Sequence, residues 1–242
     1  MNRVRKTDKK IVIVAKSAQA VIEALKARGI EALTVASNPS LPVGIADHAD
    51  LNCLLLPNGA IAVLGEQERL IYTLKAEGYA VIPVKGASRE YPADCVLNCL
   101  LTNGVCVSHK TALNAKIRRL LVDGGVRLLD SKQGYSRCSA ALVNERAAIT
   151  ADSTINGLLS GQGIEVLLVP QGEIALHGYD YGFIGGSCFL ISKNELAFFG
   201  QASKLSYYEI IEAFCAKNGV TVIELTDEPL RDIGGAVALY SV

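Results

Sequence analysis

The chain has no excess of charge of either sign: Lys plus Arg and Asp plus Glu number 24 each. It therefore sets up no global field to gather nucleic acid or an anionic membrane surface, and no Lys/Arg run marks a ribosome-facing patch. Long apolar runs are missing too. No segment reaches the roughly 18 consecutive apolar residues of a membrane span. The basic start leads only into Ile11-Val12-Ile13-Val14-Ala15, without the longer core or small-residue cleavage site of a signal peptide. These absences predict a cytoplasmic protein with neither a nucleic-acid nor a membrane partner.

No disulfide framework is legible. The seven cysteines are an odd number scattered through apolar strand and helix patterns, which suits buried free thiols in a reducing compartment. Cys95 and Cys99 share a strand face, but at roughly 3.3 Å per residue they would stand about 13 Å apart, too far for one zinc ion. No phosphate loop exists either: no Lys-Ser/Thr pair follows the glycines of residues 182–186, and the G-x-G-x-x-G spacing is absent. The sequence thus specifies no metal and no cofactor.

What is present is repetition. Half the residues are apolar, enough for a sizeable core, and they fall into a recurring strand, turn, strand, helix, strand plan. In residues 91–130 the first strand is 94–101, Asn103-Gly104 turns the chain, residues 105–107 return, and Ser108 caps a helix that ends at Gly124-Gly125. Earlier, residues 51–56 and 60–64 flank Asn58-Gly59. Later, 139–143 and 147–150 flank Asn144-Glu145 with Asp152 as cap, and 186–191 and 196–199 flank Lys193-Asn194. The first segment, a strand from residue 10, a helix capped by Ser17 and a strand at 30–35, has no hairpin in front of it. The last, residues 233–240, is a strand with nothing after it.

Five helix exits share one phrase: Gly29-Ile-Glu-Ala-Leu, Gly78-Tyr-Ala-Val-Ile, Gly125-Val-Arg-Leu-Leu, Gly163-Ile-Glu-Val-Leu and Gly219-Val-Thr-Val-Ile. A left-handed glycine ends each helix and apolar residues enter a buried strand, at intervals of roughly 40–55 residues. The unpartnered last strand is expected to pair beside Ile11–Val14 and complete a fifth unit, closing a ring that leaves no sheet edge. The expected units are 43–90, 91–134, 135–176, 177–229, and 230–242 with 9–42, all in one domain spanning 1–242. The competing architecture, a doubly wound nucleotide-binding sheet, does not account for the hairpin turns.

This plan resembles the pentein fold of the guanidino-group-modifying enzymes, an α/β five-bladed propeller with pseudo-fivefold ββαβ repeats closed by the N- and C-termini. The resemblance covers nearly the whole chain and rests on the order and spacing of elements, placing it in an uncharacterised branch. Members include arginine and agmatine deiminases, amidinotransferases, dimethylarginine hydrolases and a non-enzymatic ribosomal anti-association factor. In the enzymes a cysteine of the last unit attacks the guanidinium carbon, a histidine of the fourth moves protons and carboxylates hold the cation. Here His177-Gly178-Tyr179-Asp180 stands near the histidine's place without its His-x-Asp spacing. Asp232-Ile233-Gly234-Gly235-Ala236-Val237-Ala238 carries alanine or valine where the cysteine belongs.

In such a ring, residues just before the inner strands converge on one channel mouth. The candidate ligand-binding residues are Asp47, His48, Asp50, Asn52, Asp94, Asn98, Arg137 and Asp232, with Tyr135, Ser136 and Tyr179 beside them. An acid-rich mouth with one arginine suits a small cationic or zwitterionic metabolite, guanidino or amino-acid-like. Two alternatives stand beside this reading. One is an amidino hydrolase or deiminase using His177, Asp180 and Cys188, the one thiol in a glycine-rich setting. The other is a non-enzymatic interaction protein like the anti-association factor. Neither the ligand nor the oligomeric state is specified.

Overall fold

The computed structural model describes residues 9–240. The basic residues 1–8 and the last two residues of the closing unit lie outside the described residues. In chain order the elements begin with β1 (Ile11–Ala15), α1 (Gln19–Ala27), β2 (Glu31–Val35), α2 (Ala49–Asn52), β3 (Cys53–Leu55), β4 (Ile61–Leu64), α3 (Glu68–Ala76) and β5 (Val81–Val84). Then come β6 (Leu100–Thr102), β7 (Val105–His109), α4 (Ala115–Asp123), β8 (Arg127–Ser131), β9 (Ala140–Asn144), β10 (Ala147–Thr150), α5 (Ser153–Ser160) and β11 (Glu165–Leu168). Finally come β12 (Cys188–Ser192), β13 (Glu195–Phe198), α6 (Tyr208–Lys217), β14 (Thr221–Glu224) and β15 (Val237–Ala238).

These strands form five three-stranded sheets, β3-β4-β5, β6-β7-β8, β9-β10-β11, β12-β13-β14 and β15-β1-β2. In each, the first strand runs antiparallel to the middle one and the third runs parallel to it. The expected terminal pairing is present: Val12 faces Ala238, Ile13 faces Val237, and Leu239 N–H donates to Ile11 O at 2.9 Å.

The middle strands explain why the sequence shows apolar runs rather than alternation, because successive side chains leave opposite faces and both faces are covered. On β1, Val12 and Val14 pack with Phe189 and Ile191 of β12, while Ile13 packs with Cys53 of β3 and Ile61 of β4. On β4, Ile61 and Val63 join that second cluster and Ala62 and Leu64 pack instead toward Leu97 and Ile117. The same division recurs on β7, β10 and β13. The core is thus five apolar clusters, each shared between two sheets.

All five exit glycines, Gly29, Gly78, Gly125, Gly163 and Gly219, have positive φ, and Asn103-Gly104 turns with φ of 43° and 73°. Asp152 caps α5, accepting from Thr154 N and Ile155 N. Other details differ from expectation. Residues 94–98 are turns, and only Leu100–Thr102 pairs as strand, because Asp94 and Asn98 point into polar contacts that a regular strand would not offer. Ser108 continues β7, and Asn114 caps α4 instead, accepting from Lys116 N and Ile117 N. Helix α1 has no side-chain cap; Ser17 N–H donates to Asp47 Oδ2. Residues 49–52 form a helical turn ahead of β3, and the last strand shrinks to β15 because Gly234 and Gly235, at φ of 78° and 61°, bend the chain before it. Among the described residues no helix is long and apolar enough to cross a membrane.

Two glycine substitutions should act with opposite signs. Gly157 lies inside α5 with nothing within 4 Å of an added Cβ, so Gly157→Ala should stabilise by about 0.5–1 kcal/mol. Gly125 sits at φ of +80°, so Gly125→Ala should destabilise by about 1–2 kcal/mol. Urea unfolding of the two variants reads both, and equal signs would contradict the assigned helix exits.

Candidate functional site

The first strands of all five sheets meet at one cavity of about 250 Å³, walled by Leu54, Leu101, Leu142, Phe189 and Ala238 among others. Two charged residues line it, Asp50 and Arg137. Asp50 is delivered by the turn α2, whose place is fixed when Asp50 N–H donates to Gly234 O at 3.1 Å. Asn52 on the same turn is a structural hub. It accepts from Asn38 Nδ2 and Gln67 Nε2 and donates to Ala46 O and His48 O, leaving no group for a ligand.

Asp50 is buried at 4 % exposure; its Oδ2 accepts from the Cys138 thiol at 2.9 Å, and its Oδ1 is buried with no partner within the protein. Burial raises its carboxyl from the ordinary 3.8 to about 6, with the Asp232 carboxylate adding to the rise and His48 and Arg137 opposing it. Cys138 is pushed well up by burial and by the two carboxylates, so it stays a thiol donor. Asn98 ties this group together, donating to Asp50 O and Cys138 Sγ and accepting from Arg137 N–H at 2.8 Å.

Asp232 closes the cluster. It accepts from Phe183 N–H and Gly234 N–H, both at 2.9 Å, and stands 3.9 Å from His48 Nδ1. Its closeness explains one glycine, since a Cβ on Gly186 would lie 1.9 Å from Asp232 Oδ1. Gly235 matters differently. A Cβ there would crowd Gly185 O at 3.1 Å and lie in ordinary contact with Asp50 Oδ2 at 3.7 Å and Arg137 Nη2 at 3.8 Å, so a side chain at this position would stand between acid and guanidinium. Arg137 is half-buried, reaches Ala140 O and Gly185 O only at 3.4 Å, and has no carboxylate partner among the described residues.

Asp94 is buried at a separate point, bonded by the Tyr135 hydroxyl and the Cys95 thiol. Tyr135 lies in an aromatic row, 5.7 Å from the Tyr91 ring and 6.2 Å from Phe183. Asp47 is spent on Ser17 N–H. His177 and Asp180 are exposed on a loop and make no side-chain hydrogen bond or ion pair among the described residues. Cys188 is 1 % exposed on the cavity wall, donates to Ile184 O, and is held protonated by burial.

The structure therefore brings together His48, Asp50, Asn98, Arg137 and Asp232 from the sequence-predicted residues. It does not join His177, Asp180 or Asp47 to them. Cys138 escaped sequence reasoning, although its place directly after Arg137 on a unit start was the available signal. Among the described residues no group of three His, Cys, Asp or Glu side chains could hold a metal ion.

A family of unknown function, DUF6873, matches residues 12–237. No curated protein sequence matches the chain. Among solved structures, a DDAH from Pseudomonas aeruginosa complexed with citrulline superposes with a TM-score of 0.61 at 14 % identity, covering 95 % of this chain and 99 % of that one. The inosamine-phosphate amidinotransferase of Streptomyces griseus gives 0.57 at 12 %, over 92 % and 79 %. An agmatine deiminase of C. jejuni with substrate bound gives 0.55 at 11 %, over 90 % and 87 %. These are pentein-fold proteins, and the chain has their fold. At these identities the likeness is one of fold.

Two outcomes follow for the cluster. All seven cysteines are buried, so native protein should react with a thiol reagent far more slowly than denatured protein, which should show seven thiols; one fast native thiol would reveal a nucleophile that this geometry does not contain. The second concerns pH. Because folding raises the Asp50 carboxyl from 3.8 to about 6, the folded state holds that proton more tightly, and stability falls as pH rises through this window. Relative to wild type, Asp50→Asn should gain stability from pH 4 to pH 6, on the order of 3 kcal/mol in full, and then level off. Thermal unfolding of both proteins across pH measures the difference.

Proposed function

The chain belongs to the DUF6873 family, and from its buried acid and guanidinium we propose that it binds a small amino-acid-like zwitterion in the cavity where the five first strands meet. The observation that carries this reading is Asp50 Oδ1, a buried carboxylate oxygen without a protein partner on the wall that also carries Arg137. A buried charge of this kind is held at a loss unless something opposes it. A ligand ammonium or guanidinium would pair with Asp50, its carboxylate with Arg137, and an aliphatic remainder would fill the leucine-lined space. His48 and Asp232 position this pair from behind.

The closed, five-bladed arrangement belongs to the same proposal. Its support is that each apolar cluster joins two sheets, so that every sheet has a neighbour on both faces, and that β15 completes the sheet of β1. The relatives' names concern a citrulline complex, an amidinotransferase and a deiminase, which favours a nitrogen-rich zwitterion. Covalent guanidine chemistry is not part of the reading. Ala236, Val237 and Ala238 line the cavity where the resemblance asks for a cysteine, and the thiols present are buried.

Calorimetric titration with L-leucine, L-arginine, L-citrulline and agmatine tests it. At least one of the three amino acids should bind more tightly than agmatine, which has no carboxylate. Asp50→Asn should weaken that binding by about 1.5–3 kcal/mol, the scale of a charge-assisted hydrogen bond. Gly235→Ala should weaken it by placing a methyl between the two groups, with the melting temperature read alongside because its φ of +61° also strains an alanine. Affinity should be level above about pH 6, where Asp50 is ionised, and fall about tenfold per unit below it. No binding of any amino acid would end the proposal, and release of ammonia or a ureido product would replace it with an enzymatic one.

A further inference from the structure

A second and larger cavity, about 310 Å³, opens between the sheet of β9 to β11 and the loop that precedes β12. Its lining differs in kind from that of the central cavity. Gln133, Ser139, Ser153, Thr154, Tyr181 and Tyr207 contribute to it, with Phe183 beside Tyr181, their rings 6.2 Å apart and nearly perpendicular. No Lys or Arg lines it, so nothing there would neutralise a phosphate or carboxylate.

The groups it offers are mostly hydroxyls, each able both to donate and to accept. Those of Ser153, Thr154, Tyr181 and Tyr207 make no hydrogen bond among the described residues. Ser139 is 2 % exposed, and its Oγ is buried without a partner. Asp152 spends Oδ1 on capping α5, through Thr154 N–H and Ile155 N–H, and keeps Oδ2 free. Burial raises the Tyr207 phenol to about 12, so it remains a donor at neutral pH.

We propose that this cavity binds a neutral, hydroxyl-rich ligand of monosaccharide or cyclitol size. A ligand that presents donors and acceptors together engages both capacities of a wall of hydroxyls, the two amides of Gln133 and Gln171 and a single carboxylate oxygen, whereas an ammonium, which presents donors alone, would use only their acceptors. The aromatic rings supply the flat apolar surface on which the C–H face of such a ring rests. The site is independent of the central cavity, because none of the polar residues named lines that cavity. The two sites nonetheless share a frame: Ser139 follows Cys138, and Phe183 N–H is bonded to Asp232.

The test is saturation-transfer NMR and calorimetry on the full chain with D-glucose, D-galactose and myo-inositol, with putrescine as the amine probe. At least one polyol should bind wild type and Asp50→Asn alike. Tyr207→Phe and Asp152→Asn, which keep the ring and the helix cap, should weaken it by about tenfold, the effect of one lost hydrogen bond. Ser139→Ala supplies a readout that a structural role would not give: melting temperature unchanged or raised, because an unsatisfied buried hydroxyl is removed, and polyol affinity lowered. Absence of binding by all three polyols overturns the proposal. Equal binding by wild type and the three variants places the polyol elsewhere and overturns it too, as does binding of putrescine in preference to every polyol.

Discussion

Burial of the middle strands on both faces is the constraint on which the rest of this structure depends. A three-stranded sheet with two apolar faces cannot stand alone in water, and each of β1, β4, β7, β10 and β13 sends alternate side chains into two different clusters. Every sheet therefore needs two neighbours. Small residues make this possible: Ala62, Ala148 and Ala197 occupy middle-strand positions with no exposure, where a larger side chain would push the sheets apart. Three of the first strands, β3, β6 and β15, are only two or three residues long, and the chain turns just before each of them.

Those turns create the polar cluster. Residues arriving at the centre cannot use regular sheet bonds, so their backbone and side-chain polar groups satisfy one another across units: Asp50 with Cys138 and Asn98, Asp232 with Phe183 and Gly234. The Asp232 carboxylate adds to the rise that burial gives the Asp50 carboxyl, and His48 and Arg137 oppose it. The result is a pair of acids with unequal roles. Asp232 is held by two backbone amides and serves the frame, while Asp50 keeps one oxygen in reserve.

Much of this was legible in the sequence. The Gly-x-x-x exits, the hairpin turn at Asn103-Gly104, the Asp152 cap and the pairing of the last strand with the first are local or pairwise signals, and each appears in place. The candidate site was legible in part. Asp50, Arg137 and Asp232 stood just before expected strands, and that position carries them to the cavity, whereas Asn98 was expected inside a strand. What could not be read was conformation fixed by partners far along the chain. Residues 94–98 carry strand-like composition yet turn, because Tyr135 and Arg137 bond Asp94 and Asn98 from the next unit. His177 and Asp180 lie on an exposed loop apart from this cluster.

The short pairing of β15 with β1 sets an order on assembly. Four sheets can be completed from residues close along the chain, whereas the sheet of β1 and β2 lacks its third strand until Val237 and Ala238 are available. Until then β1, apolar along its length, presents an open edge that any extended segment could occupy. Closing contacts of such long sequence separation form late and slowly. A nascent chain would thus carry that open edge until its last strand has been made, longer than any other sheet edge in the fold.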